Sequence, residues 1–279
     1  MKIGQEPIRL SYKQGVFRLE AHLLICPSKG YRARADHYRQ LVRSGLQDKW
    51  KTSFPVDDPM QEAIVQCLQA RCPEALPGFL ADLAQAQAQA ELPEGDLVPR
   101  MTLEIFVSED AYRGWFPQLH FAWQVLRAGR RPLLVYVKDL KFRSSHVQSA
   151  LPRQIWGIFR DGRVISLGFN WHYRWPGLIR LAGSRSPQVF KREAAHEFGH
   201  TMGLGDAYAA WYRSYDPYPG SESYLMHSNR ILSPEEIRMM FQAQASGKLQ
   251  HFPYQWSWKK FWRGFRRELQ ARYRAVAKK

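Results

Sequence analysis

The spacing of hydrophobic positions changes several times along the chain, and each change marks an element. Residues 16–25 partly alternate between apolar and polar, the pattern of a strand with one face on a core, and Pro27 and Gly30 halt it. Over residues 35–50 the apolar side chains Tyr38, Leu41, Val42, Leu46 and Trp50 recur at helical spacing, with Gly45 tolerated inside the helix. Residues 58–71 predict a second helix. Pro73, Pro77 and Gly78 then break the pattern, and residues 79–90 resume it as a Gln-Ala run punctuated afterwards by Pro93, Gly95 and Pro99. The short apolar runs 103–107 and 133–137 predict strands, with a helix over 115–128 between them. Residues 155–159 and 163–168 flank Asp161-Gly162, a two-residue hairpin signal. Strands and helices therefore alternate through residue 168, which predicts a mixed sheet with a helical cover.

Ser186-Pro187 opens a further helix that runs to about Met202, where Gly203 supplies a left-handed stop. A polar, tyrosine-rich loop covers 207–224. Ser233-Pro234-Glu235-Glu236 is a capping box with proline at the first helical position. The helix it opens carries Ile237, Met240 and Phe241 on its apolar face and ends at Gly247.

Composition narrows the class. With 45% apolar and 14% aromatic residues in 279, the chain can bury a core without disulfides, so wholesale disorder is excluded. The three cysteines form no framework: Cys67 and Cys72 are spaced for neither a zinc ribbon nor a redox pair, and Cys26 stands alone. Reduced thiols in a cytoplasm-like compartment are expected, with Cys26 and Cys67 filling the core. No secretory signal or membrane-spanning run is visible, so the chain is expected to be cytoplasmic as synthesised, with any export by a signal-independent route. The formal net charge of +16 is unevenly distributed. Residues 57–110 hold 11 acids against Arg71 and Arg100, whereas residues 248–279 hold 10 bases against Glu268. The stretch 57–99 reads as a helical acidic insertion whose apolar content is too thin for a core of its own.

The chemistry concentrates in His196-Glu197-Phe198-Gly199-His200-Thr201-Met202-Gly203-Leu204-Gly205-Asp206. On a helix His196 and His200 lie one turn apart on one face, so both imidazoles can reach one metal ion. Glu197 is rotated by about 100°, close enough to meet a metal-bound water without being a ligand. A turn at Gly203 can bring Asp206 up as a third ligand. Two histidines, one carboxylate and one water make a catalytic tetrahedral zinc site with an open position. Zinc lowers the pKa of its water to roughly 7, and Glu197 takes the proton and delivers it to the leaving amine. From this chain's composition a chance His-Glu-x-x-His arises with a probability of roughly 0.015, and of roughly 7 × 10⁻⁵ once Gly203 and a His or Asp at 206 are required. A distal Glu ligand in place of Asp206 has three candidates, Glu222, Glu235 and Glu236, and His227 is a further ligand candidate beside Met226.

Residues 196–206 resemble the extended zinc motif of the metzincin metalloendopeptidases, with Asp206 where most members carry a third His. Snapalysin-type bacterial enzymes have Asp there. Ser223-Tyr224-Leu225-Met226-His227 is similar to the family's Met-turn, with Met226 as the methionine beneath the metal, and Ser233 falls where its last helix begins. The resemblance covers about 11 residues and the Met-turn. It implies an α+β fold of metzincin-like zincin type: a twisted mixed β-sheet with an active-site helix, and a small, mainly helical or irregular C-terminal subdomain. The zincin subdomain would be 1–205, the C-terminal subdomain 206–250, and the strand near 163–168 the sheet edge that pairs with an extended peptide. Ser228 replaces the tyrosine that astacin-like members place near zinc, and no cysteine-bearing latency segment precedes residue 100.

The last segment, 251–279, is a basic aromatic tail. Trp258, Phe261, Trp262, Phe265 and Leu269 fall on one helical stripe, and lysines and arginines occupy much of the remainder. Such a helix can dock on the catalytic domain, lie on an anionic membrane, fill a partner's groove or, less in keeping with its stripe, contact nucleic-acid phosphates. Trp171, Tyr173 and Trp175 either line a substrate cleft or pack in the core. The sequence thus predicts a zinc metalloendopeptidase acting on protein or peptide. The alternatives are a non-catalytic, zinc-stabilised binding protein acting through its tail, and a delivered bacterial effector protease.

Overall fold

The computed structural model describes residues 6–90, 98–112, 114, 120–121, 131–140, 145–148, 171–209 and 216–253, with 258–259, 262–263, 266 and 270 of the tail. The hairpin expected around Asp161-Gly162, most of the helix expected over 115–128 and most of the tail lie outside the described residues.

Strand β2 (Val16–Pro27) is the spine of the sheet, and its burial shows why. Its first half alternates buried and exposed side chains, and from Leu23 every residue is buried, as in a strand covered on both faces. Strand β1 (Ile8–Lys13) turns at Gln14-Gly15 and pairs antiparallel with the first half of β2. Strand β3 (Thr52–Pro55) pairs antiparallel with β4 (Arg100–Ala111), which runs parallel to β2 over ten residues. Strand β5 (Leu133–Lys138) runs parallel to the second half of β2 and to β7 (Leu178–Ala182), and β6 (His146–Gln148) closes the described edge antiparallel to β7. The seven strands form one mixed sheet in the order β3-β4-β2-β5-β7-β6, with β1 beside β2.

One face of this sheet carries the core. Phe17, Leu19, Ala21, Leu23 and Ile25 of β2 join Leu103, Ile105 and Val107 of β4 and Val135 and Val137 of β5. The opposite face of β2 and β4 bears half-buried or exposed Arg18, Glu20, His22, Glu104, Phe106 and Ser108. Against the apolar face pack α1 (Ala35–Lys49), α2 (Asp58–Arg71), α3 (Leu76–Ala90), α4 (Pro187–Thr201) and, after the short α5 (Leu225–Ser228), α6 (Pro234–Ser246). Among the described residues these helices lie on one face of a mixed sheet, an arrangement compatible with an α+β fold. A two-stranded ribbon, β8 (Tyr208–Ala209) with β9 (Asp216–Pro217), stands apart from the main sheet.

The acidic segment contributes its apolar stripe to this same core. Met60, Ala63, Ile64, Cys67 and Leu68 of α2 pack against α6, and Phe79 lies beside Tyr12 and Phe17. Helix α3 begins at Leu76, earlier than expected, because Pro77 sits within the first turn, where its missing N–H and fixed φ cost nothing. Phe241 of α6 meets Phe17 at 4.9 Å and Phe54 at 6.2 Å, so residues after 206 share the core of residues before it. All three cysteines are buried thiols, and burial raises Cys26 to about 12, which leaves it inert. Among the described residues no helix is long and apolar enough to cross a membrane.

Candidate metal centre

Helix α4 carries the motif, and its surroundings explain why it is fixed. Ser186 adopts the extended backbone of an N-cap, but its side chain makes no cap hydrogen bond; Pro187 at the first turn opens the helix without it. From Ala194 to Gly199 every residue is buried. The Trp50 indole donates to the Ala195 carbonyl at 3.2 Å, and Glu193 accepts from the Ser145 hydroxyl and from Arg185 Nε at 3.1 Å. These contacts tie α4 to the end of α1 and to the segments flanking β6 and β7.

The helix stops just before the third residue of the group. Gly203 takes φ +92°, a left-handed conformation that a side chain resists, and a Cβ there would lie 2.5 Å from that of Ala243. The chain then doubles back. Gly205 N–H donates to the Gln250 carbonyl at 2.8 Å and Ala207 N–H to the Met226 carbonyl at 3.0 Å, which holds Asp206 between two anchored neighbours.

The two imidazoles are oriented by carbonyls. His196 Nδ1 lies 2.9 Å from the Leu225 carbonyl oxygen and His200 Nδ1 lies 2.8 Å from that of Leu204. A carbonyl only accepts, so each Nδ1 carries the proton, and in a neutral ring each Nε2 keeps a lone pair. Both Nε2 atoms face Asp206 Oδ1, at 3.2 Å from His196 and 3.4 Å from His200, with the rings nearly perpendicular at 87°. A tetrahedron with metal–ligand bonds of 2.0–2.1 Å has edges of about 3.3 Å, so the donor set fits a zinc-sized ion. No other group of three His, Cys, Asp or Glu side chains converges in this way among the described residues. The His200 and Asp206 side chains are 16% and 27% exposed, so the group opens to solvent on that side.

The electrostatics follow from burial and proximity. Burial opposes a charge on either histidine, yet the Asp206 carboxylate outweighs it: His196 is raised and His200 reaches about 9. Burial pushes Asp206 up, but the imidazolium of His200 and hydrogen bonds from both rings hold it far below the usual carboxylate range. Burial raises Glu197 to about 6, partly countered by the histidines. Glu197 Oε2 is fully buried with no hydrogen-bond partner. A buried carboxylate oxygen left unsatisfied in this way points to a group that arrives with the ligand.

Compared with protein-family models and with curated proteins, the chain finds no match.

Met226 is fully buried under the motif helix, and its Sδ lies so close to Gly199 that a Cβ there would sit 2.4 Å away. Glu236 takes the capping-box place that the sequence predicts and not the distal-ligand alternative. As a candidate ligand it is excluded: its carboxylate accepts from the backbone N–H groups of Met226 (2.7 Å), Leu225 (3.3 Å) and Ser233 (2.7 Å). It closes the predicted capping box and clamps the methionine turn at once. The box was the readable signal; the second job needed the fold. Glu235 accepts from the Tyr224 hydroxyl, and Glu222 is exposed. His227 Nδ1 donates to the Ser221 carbonyl at 3.0 Å, a local role. The aromatic trio does not gather at the site. Trp171 is core and donates to the Thr201 carbonyl, Tyr173 lies under the Arg71 guanidinium and Trp175 under that of Arg131.

Proposed function

We propose that this chain is a zinc-dependent metalloendopeptidase of metzincin type. The observation that carries the reading is the convergence of both histidine Nε2 atoms on Asp206 Oδ1 beside the unsatisfied Glu197 carboxylate. The element order is compatible with that family, with α2 and α3 inserted among the strands between the first long helix and the motif helix, then the methionine turn and the last helix. His196, His200 and Asp206 would hold the ion. When bound, zinc supplies Lewis acidity that polarises a peptide carbonyl and lowers the pKa of water. Glu197, raised by burial to about 6 in the metal-free chain, is ionised at neutral pH and would take a proton from the attacking water. The same carboxylic acid then protonates the leaving amine. Glu236 and the two orienting carbonyls keep the Met226 turn and both rings in place. A non-catalytic zinc-stabilised binding protein would share the donor set but has no use for an ionisable Glu197.

The test pairs metal content with cleavage. Wild-type protein should hold about one zinc per chain, lost in His196→Ala and kept in Glu197→Ala, and only wild type should cleave a quenched-fluorescent peptide library. Absence of zinc after dialysis against it would overturn the metal site. Zinc without cleavage, unchanged in Glu197→Ala, would overturn the enzyme and leave the binding protein.

A further inference from the structure

Two large indoles of the tail are exposed, Trp258 at 65% and Trp262 at 51%; of the other described tryptophans Trp50 and Trp171 are buried and Trp175 is 48% exposed. Both belong to the described helical positions of the tail, one turn apart, with Lys259, Arg263 and Arg266 exposed beside them. Lys259, Trp262, Arg263, Arg266 and Gln270 line a shallow concavity of about 430 Å³, and none of these described lining residues is acidic. We propose that the tail is a peripheral membrane anchor that seats Trp258 and Trp262 in the interfacial region of an anionic bilayer, with Lys259, Arg263 and Arg266 on its headgroups.

Three observations converge on that occupant. The sequence places Phe261, Phe265 and Leu269 on the same helical stripe as the two tryptophans, which gives a continuous apolar face at i, i+3, i+4, i+7 and i+11. Arginine and lysine fill the flanks, and residues 248–279 carry 10 bases against one acid, so the charge is complementary to a negative lipid surface. Tryptophan is the side chain most suited to the boundary between headgroups and acyl chains, with an apolar body and one N–H donor. A nucleic-acid strand would use the cations and stack on indoles one by one, but it offers nothing to the aliphatic and phenyl positions of the stripe. Burial of the apolar stripe together with electrostatic attraction is the two-signal arrangement that stable peripheral binding requires. This inference is independent of the peptidase reading, since none of its residues belongs to the metal centre.

The full chain is tested by co-sedimentation with vesicles of 70:30 phosphatidylcholine:phosphatidylserine and of pure phosphatidylcholine. Wild type should sediment with the anionic vesicles and remain in the supernatant with the neutral ones. Lys259→Ala/Arg263→Ala/Arg266→Ala should weaken partitioning about 100-fold, from the contribution of each cation near an anionic surface. Trp258→Ala/Trp262→Ala should weaken it by at least about tenfold at unchanged charge. All five side chains are exposed, so unchanged thermal unfolding is expected and serves as the check on folding. No sedimentation with anionic vesicles, equal sedimentation with neutral ones, or loss of binding on adding a single-stranded oligonucleotide that the chain binds more tightly would each overturn the proposal.

Discussion

Gly45→Ala sets two physical effects against each other, and the structure decides between them. Alanine is the better helix former by about 1 kcal/mol, so α1 alone predicts stabilisation. But α1 crosses α4 at Gly45, where a Cβ would lie 2.4 Å from the Lys191 carbonyl oxygen and 2.9 Å from its Cα. Carbon and oxygen settle at about 3.3 Å, so the helices must part by about 0.9 Å. The opposing atoms are backbone, and no rotamer change relieves them. Overpacking of this kind costs about 1–3 kcal/mol, with a backbone clash at the upper end. The net expectation is a loss of about 1–2 kcal/mol, or a drop in Tm of roughly 2–8 °C. Gly78→Ala in α3 is the matched control, since nothing lies within 4 Å of a Cβ there, and it should stabilise by up to about 1 kcal/mol. Urea unfolding of wild type and both variants reads the difference. A Gly45→Ala protein as stable as wild type, or more so, would refute the close α1–α4 crossing that seats the motif helix.

The remaining predictions concern the metal centre. Glu197→Gln should keep its zinc and lose about 10²–10⁴ in kcat/KM against a peptide substrate, and wild-type activity should fall in acid as the base becomes protonated, below the value of about 6 it has without metal because a bound dication favours the carboxylate. Zinc binding at pH 7 should release protons, because His200, held near 9 in the metal-free chain, must give one up to ligate; calorimetry in buffers of different ionisation enthalpy measures it. In the metal-free chain the raised His200 contributes stability below its unfolded pKa of about 6.5, and that contribution is lost as pH rises through about 9. The depressed Asp206 contributes above the ordinary carboxylate range and is lost in acid, so denaturant midpoints without metal should decline on both sides. Glu236→Ala should cost about 1–3 kcal/mol, because it leaves the N–H groups of Leu225, Met226 and Ser233 buried without their acceptor, and a variant of unchanged stability would sink its assigned clamp.

Local signals were legible where one segment settles its own conformation. Helix α2 spans residues 58–71 as its periodicity predicts, Gly203 takes the left-handed turn, and Ser233 and Glu236 form their capping box. Strand β4 runs well beyond its apolar centre at 103–107 because ten residues of parallel pairing with β2 extend it. The short β3, β6 and β7 are set by their neighbours in the sheet, and no pattern of their own announces them. Strand β1 had a readable signal, the Gln14-Gly15 turn before residue 16, with both residues at positive φ. In the candidate site, the histidines, Glu197, Asp206 and Met226 were readable because motif spacing carries them. Their orientation was not, since it depends on carbonyls of Leu204 and Leu225 and on a carboxylate ten residues beyond Met226.

That dependence would make an aspartate workable as the third donor of the proposed site. A carboxylate on a short stem reaches only as far as its backbone is brought, and here the backbone is held on both sides of Asp206. Gly205 is bonded to Gln250 and Ala207 to Met226, whose own N–H is bonded to Glu236. Chain segments beyond α4 therefore anchor the backbone on both sides of Asp206, whose Oδ1 sits within about a tetrahedral edge of both Nε2 atoms. The same anchoring has an electrostatic consequence. An anionic donor leaves a divalent ion with two neutral imidazoles at a formal charge of +1 where a third histidine would leave +2. In the proposed enzyme a weaker Lewis acid would leave more of the activation of water to Glu197, whose carboxyl burial raises.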